Sequence, residues 1–196
     1  MTSGPAIDLR SRAEDDLRAI RTAMEGSSRF TSVSGVGEMA VGATALMAAW
    51  LAAGRASSAA WLGVWLAEAI LAGALSLAAA AWKARRTGGT LWSLPARRFA
   101  LSLVPPLVAG AALTPVLYHA GLVELLPGVW MLLYGTGVVT GGAFSIRVVP
   151  LTGVVFMLAG AAALAVPGVG RDAWMALGFG GIHLVFGALL AARHGG

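Results

Sequence analysis

Six long apolar stretches, divided by short polar ones, occupy the chain from Gly35 to Ala192. Each is close to the roughly 20 residues a helix needs to cross a bilayer. The pattern predicts spans at Gly35–Ala53, Ala59–Trp82, Phe99–Tyr118, Leu125–Ala143, Val148–Val166 and Ala173–Ala192. The apolar runs are continuous and rich in Ala, Leu and Gly, with none of the alternation of a membrane barrel strand. Connections are short and turn-rich, such as "GRASS" from Gly54 and "PGVG" from Pro167; the longest is "KARRTGGTLWSLPARR", Lys83 to Arg98. The predicted fold class is therefore all-α: a polytopic membrane bundle of six transmembrane helices over 33–196. Residues 1–32 precede it as a cytoplasmic amphipathic helix and linker.

That first segment, "SRAEDDLRAIRTAMEG", carries a capping-box pattern at Ser11 and Glu14. Ala13, Leu17, Ile20 and Met24 fall at helical spacing. Glu14 and Arg18 form an i, i+4 pair, and Gly26 is a stop signal. The plainer expectation is a helix packed on the inner face of the bundle. The functional one is a docking helix for a cytoplasmic protein partner, reached through residues 1–30. These residues lack the apolar core of a secretory signal.

Charge orients the bundle. With the N-terminus inside, Arg10, Arg12, Arg18, Arg21, Arg29, Lys83, Arg85, Arg86, Arg97, Arg98, Arg147 and Arg193 fall on the cytoplasmic side, leaving Arg55 and Arg171 outside. That distribution follows the positive-inside rule, with both termini cytoplasmic. Trp50, Trp61, Trp130 and Trp174 then lie near the outer surface and Trp82 and Trp92 near the inner one, as an aromatic belt requires. Only 12% of residues are charged, against about a quarter in soluble domains. The net charge of +5 is explained by topology, so no nucleic-acid partner is expected. The absence of cysteine excludes disulfides and thiolate metal sites.

Polar residues inside hydrocarbon are costly and usually face the bundle interior or a cavity. Glu68, in "WLGVWLAEAILAG", lies seven residues from Trp61, about 10 Å along a helix. His183 lies nine residues from Trp174, about 13 Å along. Thr136 is at a similar depth. Glu68, His183 and Thr136 thus form a candidate internal polar or ligand site, with a structural Glu68–His183 pair as the simpler reading. Glu38, near the inner end of the first span, is placed to pair with Arg147 or Arg97. Pro105 and Pro106 predict a break or kink in the third span. Gly137 and Gly141 form a GxxxG for helix packing, within the chain or in a homo-oligomer. No protease, esterase, phosphate-loop or metal-ligand signature is present, so neither a metal, a cofactor nor an enzyme activity is expected. "WLGVWLAE", "WMLLYGTG" and "WMALGFGG" echo one another weakly; belt tryptophans in a Gly-rich composition explain them.

The stretches "AIRTAMEGSSRFTSVSGVGEMAVG", "WLAEAILAG", "RRFALSLVPPLVAGA", "LLPGVWMLLYGTGVVTGGAFSIRVVP" and "GFGGIHLVFGALLAARHGG" together resemble an uncharacterised family of small six-span bacterial inner-membrane proteins. The resemblance implies a bacterial inner-membrane protein with this span order. It assigns no activity and no functional residue.

Two functions fit these expectations: a non-enzymatic accessory, docking or sensing module, or a small proton-coupled carrier with an internal Glu68/His183 site. The scarcity of interior polar groups favours the first. It also predicts no continuous polar path past Glu68 to both faces. The cysteine-free chain makes orientation directly testable with single-cysteine variants. Cysteine at Ser57 should react with an impermeant thiol reagent on intact cells, and cysteine at Ser145 only after the cells are opened. The reverse pattern contradicts a cytoplasmic N-terminus.

Overall fold

The computed structural model describes residues 11–20, 33–86, 88, 90, 93–143, 145–166 and 168–194. The protein is all-α. Helix α1 covers 11–20. It is followed by α2 (Gly35–Ala53), α3 (Ser58–Arg86), α4 (Leu94–His119), α5 (Leu126–Gly142) and α6 (Val148–Ala165). The last rod, α7, has three segments: Arg171–Met175, π-helical Ala176–Ile182 and α-helical His183–His194. Six of these helices are long and apolar enough to cross a membrane. By helix length and hydropathy the chain is a multi-pass membrane protein.

Local chemistry sets the helix ends. The Ser34 hydroxyl accepts from the Gly37 N–H at 3.3 Å and caps α2. Ser93 accepts from the Ala96 N–H at 3.4 Å, with proline in the first turn of α4. This cap starts α4 at Leu94, more than a turn before the apolar run begins at Phe99. Lys83, Arg85 and Arg86 complete the last turn of α3, where the helix dipole favours cations. At the end of α4, Gly121 takes φ +75°. There the Gly121 N–H donates to the Tyr118 carbonyl at 3.1 Å and the Leu122 N–H to the Leu117 carbonyl at 2.9 Å. These are the two bonds of a glycine-terminated helix. Pro105 and Pro106 do not break α4, which is continuous through them.

Packing rests on glycines seven residues apart, close to two helical turns. Gly35 and Gly42 of α2 meet Gly187 and Gly180 of α7; Gly128 and Gly135 of α5 meet Gly160 and Gly153 of α6. A Cβ on Gly42 would stand 2.9 Å from the Gly180 carbonyl oxygen. One on Gly153 would stand 2.7 Å from both the Gly135 oxygen and the Val139 nitrogen. Both helix pairs therefore pack backbone against backbone. Gly137 and Gly141 face α4 within the chain, where a Cβ would meet Leu103 and Phe99.

These contacts group the bundle into two halves. In one, α2 packs on α3 and α7; in the other, α5 packs on α4 and α6; α7 also touches α5 and α6 and joins the halves. One end of the bundle carries Lys83, Arg97 and Arg147 (the basic end) and the other Trp50, Trp130 and Trp174 (the tryptophan end). Helices α3 and α4 lie at the periphery and display many exposed apolar side chains.

The N-terminal stripe differs from the packed-helix expectation. Leu17 is 65% and Ile20 54% exposed, so the apolar face of α1 is not buried on the bundle. Arg18 bonds Asp15, at 3.3 Å. Met24 and Gly26 lie outside the described residues, as does Trp92.

Backbone contact makes added methyl groups costly. Gly153→Ala should lower the thermal stability of the detergent-solubilised protein by about 1–3 kcal/mol. Gly63→Ala, on α3 with open space around its Cβ position, should not. Equal melting of the two variants would mean that α5 and α6 are farther apart than described.

Candidate functional site

His183 begins the α-helical segment that follows the π turn, a kind of irregularity common at functional sites. It is 3% exposed. Its Nδ1 lies 2.8 Å from the Phe179 carbonyl oxygen. A carbonyl only accepts, so Nδ1 carries a proton. Nε2 then faces two partners, the Tyr134 hydroxyl at 3.0 Å and Glu38 Oε2 at 3.5 Å. In the neutral ring, Nε2 accepts a hydrogen bond from the Tyr134 hydroxyl. In the charged ring, Nε2–H donates toward Glu38 or the Tyr134 oxygen. Phe156 and Phe179 flank the imidazole, with ring centroids 5.0 and 6.2 Å away.

The acid beside His183 is thus Glu38. The glycine register explains the choice. With Gly35 against Gly187 and Gly42 against Gly180, the position of Glu38 on α2 falls beside His183. Glu68 is engaged elsewhere: the Thr44 hydroxyl donates to its Oε1 at 2.8 Å. Thr44 stands six residues from Glu38 on α2, about 9 Å closer to the tryptophan end. The Thr44 oxygen is also 3.0 Å from the Val41 carbonyl. When Glu68 is protonated, its O–H donates to the Thr44 oxygen and the Thr44 hydroxyl donates to that carbonyl. Either way the pair joins α3 to α2 and satisfies a buried polar group. The other expected positions are also separate. Thr136 donates to the Leu132 carbonyl of its own helix at 2.8 Å. Arg147 is exposed ahead of α6. Glu38 faces His183 instead of Arg147 or Arg97.

Glu38 and Tyr134 also line a cavity of about 480 Å³. Its walls come from α3 (Ser76, Leu77, Ala80), from Ala96–Leu103 of α4, and from α5, α6 and α7. Most lining side chains are apolar. Among the described lining residues, Glu38 is the one acid and Arg97 the one base. Pro105 and Pro106 have no N–H, so the Leu101 and Ser102 carbonyls lose their helical donors. Leu101 is in the cavity wall.

Polar contacts tie the helices together at the tryptophan end. Trp61 is fully buried, turned inward from the belt position expected of it. Its Nε1 donates to Asp172 at 2.7 Å, and it stacks on Trp130 at 5.9 Å between centroids. Arg171 sits 4.7 Å over the Trp61 ring and donates to Glu124 at 3.0 Å. Trp130 Nε1 donates to Thr114 of α4 at 2.9 Å. Helices α3, α4, α5 and α7 are joined there, and the cavity lies toward the basic end.

Tyr134, Phe156, Phe179 and the Arg171 cluster were not singled out by sequence. A hydroxyl one turn below Trp130, in the middle of an apolar span, was the available signal for Tyr134. Among the described residues, no group of three His, Cys, Asp or Glu side chains could hold a metal. In comparisons with protein-family models, curated proteins and solved structures, nothing matches the chain. The family resemblance is therefore carried no further than six candidate spans.

The pairing is testable by double-mutant cycles on thermal stability. Glu38→Gln and His183→Ala should couple by about 0.5–2 kcal/mol, as should Glu68→Gln and Thr44→Val. Glu68→Gln and His183→Ala should be additive. Coupling of Glu68 to His183, without coupling of Glu38, would contradict this geometry.

Proposed function

We propose that the chain is a non-enzymatic binding or sensing module of the bacterial inner membrane, with its basic end and both termini in the cytoplasm. Its ligand is an apolar molecule with one polar end. One observation carries this reading: a large, mainly apolar cavity that contains Glu38 and Tyr134 and lies between peripheral helices. Pockets of this kind take their affinity from apolar walls and their orientation from a few polar groups. The ligand enters from the bilayer between α3 and α4, whose lining segments face each other across the cavity. The exposed stripe of α1 suits contact with the membrane surface or with a cytoplasmic protein.

A second reading, a small proton-coupled carrier, draws on the Glu38–His183 contact beside the cavity. It places the polar site at Glu38 instead of Glu68.

Mass spectrometry of the denatured, purified protein tests the binding reading. A bound apolar molecule should be recovered from the wild type and be largely lost from Ala100→Trp, which fills the cavity from α4. Equal recovery from both, with the variant folded, would show that the molecule is bound elsewhere or is only detergent-shell lipid.

A further inference from the structure

Resting on the cavity reading above, we propose that the ligand is a lipophilic organic cation, held by the Glu38 carboxylate and exchanged for one proton. Three features of the cavity converge on this chemistry. Among the described residues that line it, Glu38 is its one acid. Phe99, Tyr134 and Phe186 add aromatic side chains to its wall, and aromatic faces attract cations. The remaining wall is largely aliphatic and suits the body of a hydrophobic ion. A carboxylate among apolar groups is costly alone, and a bound cation offsets that cost.

The proton has a defined place when the cation is absent. It lies at the contact of Glu38 with His183, whose facing atoms are 3.5 Å apart. When a cation arrives, that proton leaves and the cation takes its place beside the Glu38 carboxylate. The neutral ring needs no rearrangement, because Nδ1 keeps its bond to Phe179 and Nε2 accepts from Tyr134. One positive charge leaves as one enters, so the net charge of the site is unchanged.

Tyr134, His183, Lys83 and Arg97 are the other titratable or charged groups near this region among the described residues. Tyr134 comes from α5, and His183 from α7. From α3, Lys83 donates to the Val33 carbonyl at 3.1 Å. From α4, Arg97 is exposed in the basic-end part of the wall. Tyr134 is eight residues from the basic-end terminus of α5 at Gly142, about 12 Å along the helix. A cation at Glu38 and Tyr134 is thus held well inside that terminus. The α6 wall adds no titratable group to the cavity.

Tetraphenylphosphonium and tetraphenylborate, of matched shape and opposite charge, separate the two readings by equilibrium dialysis of the full-length protein in detergent. The phosphonium should bind more tightly as the pH is raised and release about one proton per ion bound. Glu38→Gln should weaken it at least about tenfold and abolish the pH dependence. Glu38→Asp, which keeps the carboxylate, should retain both and controls for misfolding. The borate should be insensitive to Glu38→Gln. Phosphonium binding unaffected by Glu38→Gln, yet lost in Ala100→Trp, overturns cation exchange and leaves the cavity reading standing. Binding of both ions unaffected by Ala100→Trp overturns both readings.

Discussion

Direct backbone contact between helices, permitted by glycines seven residues apart, is the constraint on which the rest of the structure depends. Without a hydrophobic driving force between helices inside lipid, close packing and polar contacts must supply the association. Gly35 and Gly42 against Gly187 and Gly180 bring α2 onto α7 and fix their register. That register delivers Glu38 to His183. Gly128 and Gly135 against Gly160 and Gly153 do the same for α5 and α6, and so hold Tyr134 and Phe156 beside the same imidazole. A shift of one turn between α2 and α7 would leave an acid and a histidine apart, each with a desolvation cost of its own.

The two ends of the bundle then have different tasks. Around Trp61 a full set of partners exists: Asp172 for its N–H, Arg171 over its face and Trp130 in a stack. These contacts join four helices and order the tryptophan end. Toward the basic end, α3 and α4 bound a cavity, and the polar trio of Glu38, Tyr134 and His183 lies deep beside it. Glu68 and Thr44 belong to the ordering contacts, since they fasten α3 to α2. The two acids thus divide their work: Glu68, which is buried, holds helices together, and Glu38 faces open volume.

Much of the fold was legible in the sequence. Six continuous apolar runs give six helices, because length and hydropathy alone decide whether a segment can span. Helix ends were less legible, since caps such as Ser93 extend helices beyond their apolar cores. The polar pairing was misplaced for one physical reason. Counting residues inward from tryptophans gives depth alone; it leaves open which way each side chain faces around its helix and which helices are neighbours. The information that fixes the pairing, the seven-residue glycine spacing, was present in the sequence. It becomes a register only once the helix partners are known.

Nitrogen-15 spectroscopy of histidine-labelled protein reads the central contact most directly. At a pH where the ring is neutral, His183 should carry its proton on Nδ1, with Nε2 as an acceptor. Glu38→Gln should shift the Nε2 resonance, and Glu68→Gln should leave it in place. A ring protonated on Nε2, or one that responds to Glu68 and not to Glu38, would contradict the account.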